Sequence, residues 1–207
     1  MAAGRLPGWL ARCAERHGAV EVRSTADRVS LSYADGTAVD IAVPFPPLRG
    51  IQGSAYDGLL EHVAQDRRIG LLLVRRGGYG VGVVADGRLV ESKVGSRHVQ
   101  GKSKAGGWSQ RRFANRRDEQ ARAAFTAAAD VAVRLLLPRL RDLDALACGG
   151  DRRAVDAVLA DARLRALAAL PRGRFLDVPD PRHAVLVRAA QSANAVVVTV
   201  TDPVAQM

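Results

Sequence analysis

One stretch constrains the fold more than any other. From Ser109 or Arg111 to about Leu137 the sequence keeps a helical period: Phe113, Arg117, Ala121, Ala124, Ala128, Ala132 and Leu135 recur every three or four residues. That spacing stacks them on one face of a helix. Arg112, Arg116, Glu119, Arg122, Thr126 and Asp130 fall on the other side, and the many alanines favour the same conformation. Pro138 is expected to end or kink the helix. Arg117 shares the apolar face, so it is expected to be partly buried or to snorkel at its edge.

A helix this long needs a surface to lie on, and strand-patterned segments stand on both sides of it. After a short helix at 5–17, with Leu6, Trp9, Leu10 and Cys13 on one side, apolar residues alternate in V-E-V-R-S at 20–24 and R-V-S-L-S-Y at 28–33. A-D-G-T at 34–37 reads as a hairpin turn, with A-V-D-I-A-V at 38–43 returning. The prolines at 44–47 break the pattern. A helix is predicted over 55–66, with Leu59, Leu60 and Val63 inward. I-G-L-L-L-V at 69–74 is apolar throughout and reads as a central strand. Strands at 78–84 and 89–94, joined by A-D-G-R, complete a meander.

By letters, G-V-G-V-V-A at 80–85 matches a dinucleotide-binding fingerprint. That chemistry requires a helix to start at the glycines so that its N-terminus faces a pyrophosphate. An Asp-Gly turn follows here instead, so the glycines are read as close approaches or twists between strands. Beyond the long helix come a short strand at 145–150 ending in Gly149-Gly150 and a helix capped by Asp151 with Val155, Val158 and Leu159 inward. A short helix at 162–170, a strand at 175–178, a helix at 181–191 and a β-branched strand at 195–201 follow. The fold class is α+β: a mixed, twisted sheet with helices on its faces.

At 207 residues the chain holds one or two domains of about 150 residues each. Its 48% hydrophobic and 25% charged residues exclude collagen, an acidic disordered chain and a disulfide mini-scaffold. No apolar run approaches the ~18 residues that span a bilayer, and Met1–Leu10 is too short and too broken for a signal peptide. A cytoplasmic, monomeric protein is expected. Cys13 and Cys148 fit no metal spacing and read as buried thiols. His17, His62 and His183 are dispersed, so no metal site and no cofactor are expected.

The charge balance is +10, with 31 Lys and Arg against 21 Asp and Glu. A surplus of this size points to a polyanionic partner, nucleic acid first. All three lysines, Lys93, Lys102 and Lys104, fall within twelve residues, and Arg97–Arg117 holds seven Lys/Arg and no acid. Within it, the polar loop 95–110 carries four glycines and is too long for an idle connection. A solvated basic face is the ordinary fate of a charge run. The total absence of acids over 21 residues around glycines favours anion binding instead.

The string R-H-V-Q-G-K-S-K-A-G-G-W-S-Q-R-R-F-A-N-R-R at 97–117 resembles the middle, peptidyl-transferase-facing domain of eukaryotic and archaeal peptide-release factors. In that domain a Lys-His and Gly-rich basic loop carries a Gly-Gly-Gln tip, followed by Arg-Phe-Ala and an Arg-rich helix. Gly106, Gly107 and Gln110 match the tip, with Trp108 and Ser109 inserted, and R-R-F-A-N-R-R at 111–117 matches the helix start. The altered tip is closer to the Vms-like release factors, in which a release-factor domain hydrolyses peptidyl-tRNA on stalled large ribosomal subunits. The Ala/Arg-rich composition points to an actinobacterial branch. The order of elements extends the resemblance to roughly 69–207, which implies a release-factor-like catalytic domain at 67–207. Residues 1–66 are then a β-hairpin and helix extension packed on it.

The resemblance implies Gln110, Gly106, Gly107 and Ser109 at the catalytic tip. It implies RNA contacts from Arg97, His98, Lys102, Lys104, Trp108, Arg111, Arg112 and Arg116. The partners are then peptidyl-tRNA and large-subunit ribosomal RNA, with no membrane and no DNA. The chemistry agrees. Hydrolysis of the ester needs a positioned water and donors for the developing oxyanion. A glycine tip lets backbone approach a crowded target, and a Gln both donates and accepts without titrating. The inserted pair leaves open whether the backbone donor belongs to Gln110, Ser109 or Trp108. Ser109 as a nucleophile lacks an elbow motif, and no Ser-His-Asp order is readable. His98 is read as a structural or phosphate-contacting residue, and Trp108 as a base-stacking one. No codon-reading domain fits beside 67–207, so a codon-independent rescue role follows. A nuclease that cuts the tRNA acceptor end and a non-catalytic ribosome-binding module are the competing readings.

Overall fold

In the computed structural model, residues 1–48, 56–75, 78–96 and 108–202 are described, with 108–121 described in backbone alone. The chain divides into two units, residues 1–66 with 194–207, and residues 67–193.

The first unit is a four-stranded antiparallel sheet, in the order β1-β2-β3-β8, under helices. Its elements are α1 (Leu6–His17), β1 (Val20–Ser24), β2 (Arg28–Tyr33), β3 (Ala38–Ala42), α2 (Asp57–Ala64) and β8 (Val197–Thr201). Alternation puts Val29, Leu31, Tyr33, Val39 and Ile41 on one face, where they bury with Leu6 and Leu10 of α1 and Leu59 and Val63 of α2. The 3.6-residue spacing in the helices and the two-residue spacing in the strands therefore meet in one core.

The last strand departs from expectation. It was expected within the 67–207 domain, but β8 pairs antiparallel with β3, Val39 opposite Val200 and Ile41 opposite Val198. The first residue joins it there: the Met1 amine donates to the Val196 carbonyl at 2.8 Å, and the Val196 N–H donates to the Met1 carbonyl at 2.9 Å. The second unit is thus inserted, along the chain, between α2 and β8. A β-branched strand carries no local mark of its partner. The unpaired edge of β3 and the half-covered Val198 side decide it.

The second unit is a mixed four-stranded sheet in the order β6-β5-β4-β7. It contains β4 (Ile69–Arg75), β5 (Gly78–Ala85), β6 (Arg88–Ser96), α3 (Trp108–Leu136), β7 (Ala145–Gly150), α4 (Arg152–Leu159), α5 (Arg165–Ala168) and α6 (His183–Ala193). β4 is interior and buried along nearly its whole length, as its unbroken apolar run predicts, and β7 runs parallel to it. Asp86 and Gly87 both take positive φ in the β5–β6 turn, the conformation that two-residue hairpins need. α3 and α4 cover one face, burying Ala128, Ala132, Leu135, Val155 and Val158 over Leu72, Val81, Val83 and Cys148. α6 covers the other.

β5 shows what the rejected fingerprint is for. No helix starts at its glycines. Gly78, Gly80 and Gly82 alternate onto the α6 face, and a β-carbon at Gly80 would stand 2.3 Å from Leu186 Cδ1. Gly80 is a glycine because α6 lies directly on it, whereas Gly78 and Gly82 are confined by β6, at the Gly95 carbonyl oxygen and at Leu89 Cδ1.

Two expected elements are smaller than read. The strand at 175–178 is a single bridge, Leu176 to Gly149, accompanied by another from Arg172 to Leu146. The helix at 162–170 is a 3₁₀ turn (Ala162–Leu164) leading into the one-turn α5. Pro171 and Gly173 leave little chain for either to propagate. Pro138 ends α3 as expected, opening a 3₁₀ turn over Leu137–Asp142. Asp151 caps α4 by accepting from the Ala154 N–H at 3.3 Å.

Candidate functional site

The register of the second sheet decides which elements meet. Arg75 lies opposite Gly78, Gly78 opposite Ser96, and Val74 opposite Gly150. The end of β4, the start of β5, the end of β6 and the end of β7 therefore share one end of the sheet. β6 ends at Ser96 on that end, and the next described element, α3, begins at Trp108.

Arg97, His98, Lys102, Lys104, Gly106 and Gly107 lie outside the described residues. Trp108, Ser109, Gln110, Arg111, Arg112 and Arg116 lie in the first turns of α3, described in backbone only. The loop expected at 95–110 gives up a residue or more at each side, because β6 runs to Ser96 and α3 begins at Trp108. Gln110 is accordingly the third residue of the helix.

That placement has chemical content. The first N–H groups of a helix have no intrahelical acceptor, and in α3 these include the N–H groups of Trp108, Ser109 and Gln110. They also sit at the positive end of the helix dipole. No acid occupies the first turn of α3, and the first ten residues carry Arg111, Arg112, Arg116 and Arg117. Helices usually start on acids. This one starts on cations, a poor arrangement for an isolated helix and a good one beside a polyanion.

Length gives the helix reach. Its 29 residues span about 43 Å at about 1.5 Å per residue. Among its described side chains, the buried ones lie over Ala124–Leu136, a stretch of about 18 Å.

At the same end of the sheet, Tyr79 on β5 lies directly opposite Gly95 on β6. Its ring covers the glycine: a β-carbon at Gly95 would stand 2.4 Å from Tyr79 Cζ and 2.5 Å from its Oη. Tyr79 also packs, partly buried, against the core that α3 closes. Sequence reading missed this pair. Its signal was a lone aromatic among the glycines of β5, opposite a Gly one residue before the end of β6.

Two further cations at the same end are braced. Arg75 Nη1 donates to the Val178 carbonyl at 2.7 Å, with Asp180 3.9 Å from its Nε. Arg152, at the start of α4, stacks 4.3 Å over the Phe175 ring.

The charge is segregated between the units. Residues 67–193 hold 25 Lys and Arg against 12 Asp and Glu, a balance of +13. Residues 1–66 with 194–207 hold 6 against 9, a balance of −3. The entire basic surplus belongs to the unit with the loop.

Other chemistry finds no support among the described residues. No group of His, Cys, Asp and Glu there is arranged to hold a metal ion. Burial raises the Cys13 thiol and pushes Cys148 up to about 11, so neither is a thiolate nucleophile. His62 is buried with Nε2 2.7 Å from the Pro44 carbonyl, and His17 pairs with Asp35. No helix among the described residues is long and apolar enough to cross a membrane.

Residues 67–199 match a protein family described as the Actinobacteria/chloroflexi VLRF1 release factor. Among curated proteins none matches. Among solved structures, the chain is similar to the Vms1 mitochondrial localization core at 10% identity and a TM-score of 0.49, over 88% of this chain and 92% of that one. It is also similar to an archaeal translation termination factor, aRF1, at 18% identity and a TM-score of 0.42, over 79% of this chain. It covers 48% of that archaeal chain, about half its length.

Proposed function

Starting from a chain that belongs to the Actinobacteria/chloroflexi VLRF1 release factor family, we propose that it hydrolyses the ester of peptidyl-tRNA and frees nascent chains from stalled ribosomes or large subunits without reading a codon. The family sets the field as translation termination and ribosome rescue. One coincidence carries the finer reading: the matched region 67–199 encloses the acid-free run 97–117, and the unit that bears it holds the whole basic surplus.

In this reading the cations position and the tip reacts. Arg97, His98, Lys102, Lys104, Arg111, Arg112 and Arg116 meet phosphates, which gives affinity and orientation rather than sequence choice. Trp108 stacks on a base. Gly106 and Gly107 let the backbone approach the ester. The Gln110 side chain orients the water, and a free N–H at Ser109 or Gln110 donates to the oxyanion as the tetrahedral centre forms. Gln110 is a poor base, so most of the rate comes from placement and from groups of the RNA. The partners are peptidyl-tRNA and large-subunit RNA, the protein acts as a monomer in the cytoplasm, and no cofactor takes part.

The test is product analysis after incubation with a peptidyl-tRNA–large-subunit complex. Free peptide with intact tRNA is the expected result. A shortened tRNA still joined to peptide identifies a nuclease, and unchanged substrate identifies a binding module.

A further inference from the structure

We propose that Tyr79 is a positioning residue for the release tip: its ring, laid on Gly95, fixes the direction in which the chain leaves β6 at Ser96. The proposal rests on the hydrolase reading above, and it arises from the local geometry. A glycine directly opposite an aromatic in an antiparallel pair leaves a hollow that the ring fills. Here the fill is close enough that no β-carbon fits beneath it, at 2.4–2.7 Å from three ring atoms. The same ring packs against the core under α3. Tyr79 thus touches the end of β6 directly and packs against the core to which α3 contributes, and residues 97–107 join those two elements in sequence.

The neighbouring glycine makes the backbone equally confined. A β-carbon at Gly78 would stand 2.7 Å from the Gly95 carbonyl oxygen. Gly78, Tyr79 and Gly95 therefore leave the strand end one close-packed arrangement. In this proposal a displaced exit at Ser96 displaces the tip residues that follow it in the chain, and a shift of about 1 Å at a reacting group costs about a hundredfold in rate.

The two glycines separate positioning from folding. At Gly78 the obstacle is backbone, so Gly78→Ala breaks the strand pair. At Gly95 the obstacle is the far end of a side chain, so Gly95→Ala turns the ring away and loosens only the end of the β5–β6 pairing. Tyr79→Phe keeps the ring, and Tyr79→Leu removes it while retaining apolar volume.

The experiment measures single-turnover peptide release on peptidyl-tRNA–large-subunit complexes, half-saturation, melting temperature and amide exchange for all four proteins. Tyr79→Phe is expected within about twofold of wild type. Gly95→Ala and Tyr79→Leu are expected to release at least tenfold more slowly at saturation, with unchanged half-saturation and melting within a few degrees. Their amides at 94–96 are expected to exchange at least tenfold faster, with β4 unaffected. Wild-type exchange at 94–96 in both variants overturns the proposal, as does wild-type release. A rate loss that follows melting temperature across the series also overturns it, by making Tyr79 a plain core residue. Should the wild type release no peptide, the hydrolase reading fails, and the exchange data still decide whether the ring holds the strand end.

Discussion

Gly80 and Leu186 are in van der Waals register across the β5–α6 interface, so that the leucine occupies the space a β-carbon at residue 80 would need. Leu186 is fully buried there. The fit predicts a compensating pair. Gly80→Ala should destabilise the protein by about 1–3 kcal/mol through overpacking, and Leu186→Ala by about 2–5 kcal/mol through the cavity. The double variant should recover much of the Gly80→Ala loss, because the obstacle is gone. Urea midpoints at constant m-value measure the three, and strict additivity would count against this contact.

A second prediction concerns acid. Asp35, in the β2–β3 turn, lies 2.7 Å from His17 Nδ1 at the end of α1 and accepts the Thr37 N–H at 2.9 Å. The His17 bond first, and then the Thr37 amide, hold its carboxyl down at about 2. The folded value is thus below the unfolded one of about 3.9. Its stabilisation is therefore present above about pH 4 and is lost as pH falls toward 2. The difference in melting between wild type and Asp35→Asn should shrink over that window. A constant difference from pH 5 to 2 would show that the carboxylate does not matter.

Salt should weaken binding steeply. If about five of the seven cations in 97–117 meet phosphates, the log–log slope of affinity for large subunits against salt should be roughly −3 to −4, at about 0.7 per contact on single-stranded-like RNA. Replacing Arg112 and Arg116 by Glu should lower affinity and flatten the slope with little change in melting temperature. A slope near zero in the wild type removes the electrostatic footprint.

Gln110→Ala should separate chemistry from binding. Loss of one oxyanion-type contact costs about 10²-fold in rate, so single-turnover release should fall on that scale while occupancy of the large subunit holds. Gly107→Ala should slow release as well, by restricting the backbone. Equal rates for Gln110→Ala and wild type would transfer the role to the free N–H groups of the first turn of α3.

What could be read directly from the chain was whatever depends on neighbours in sequence. The apolar period from Phe113 to Leu135 specified α3, alternation specified β1 to β3, Asp-Gly marked the β5–β6 turn, and Asp151 marked the start of α4. The release-factor likeness was legible for the same reason, because its string is contiguous at 97–117. Pairing across long separations was not legible. Nothing in V-V-T-V-T distinguishes an edge of one sheet from an edge of the other. Only the open side of β3, more than 150 residues away, assigned β8 to the first unit. The glycines of β5 were visible as letters, but their purpose was not. Leu186 reveals it for Gly80, and the Gly95 carbonyl oxygen for Gly78, because a missing β-carbon has meaning only once the atom that takes its place is known. Strand order, the meeting of four chain ends at one end of the sheet, and the ring over Gly95 are products of packing, which local propensity does not encode.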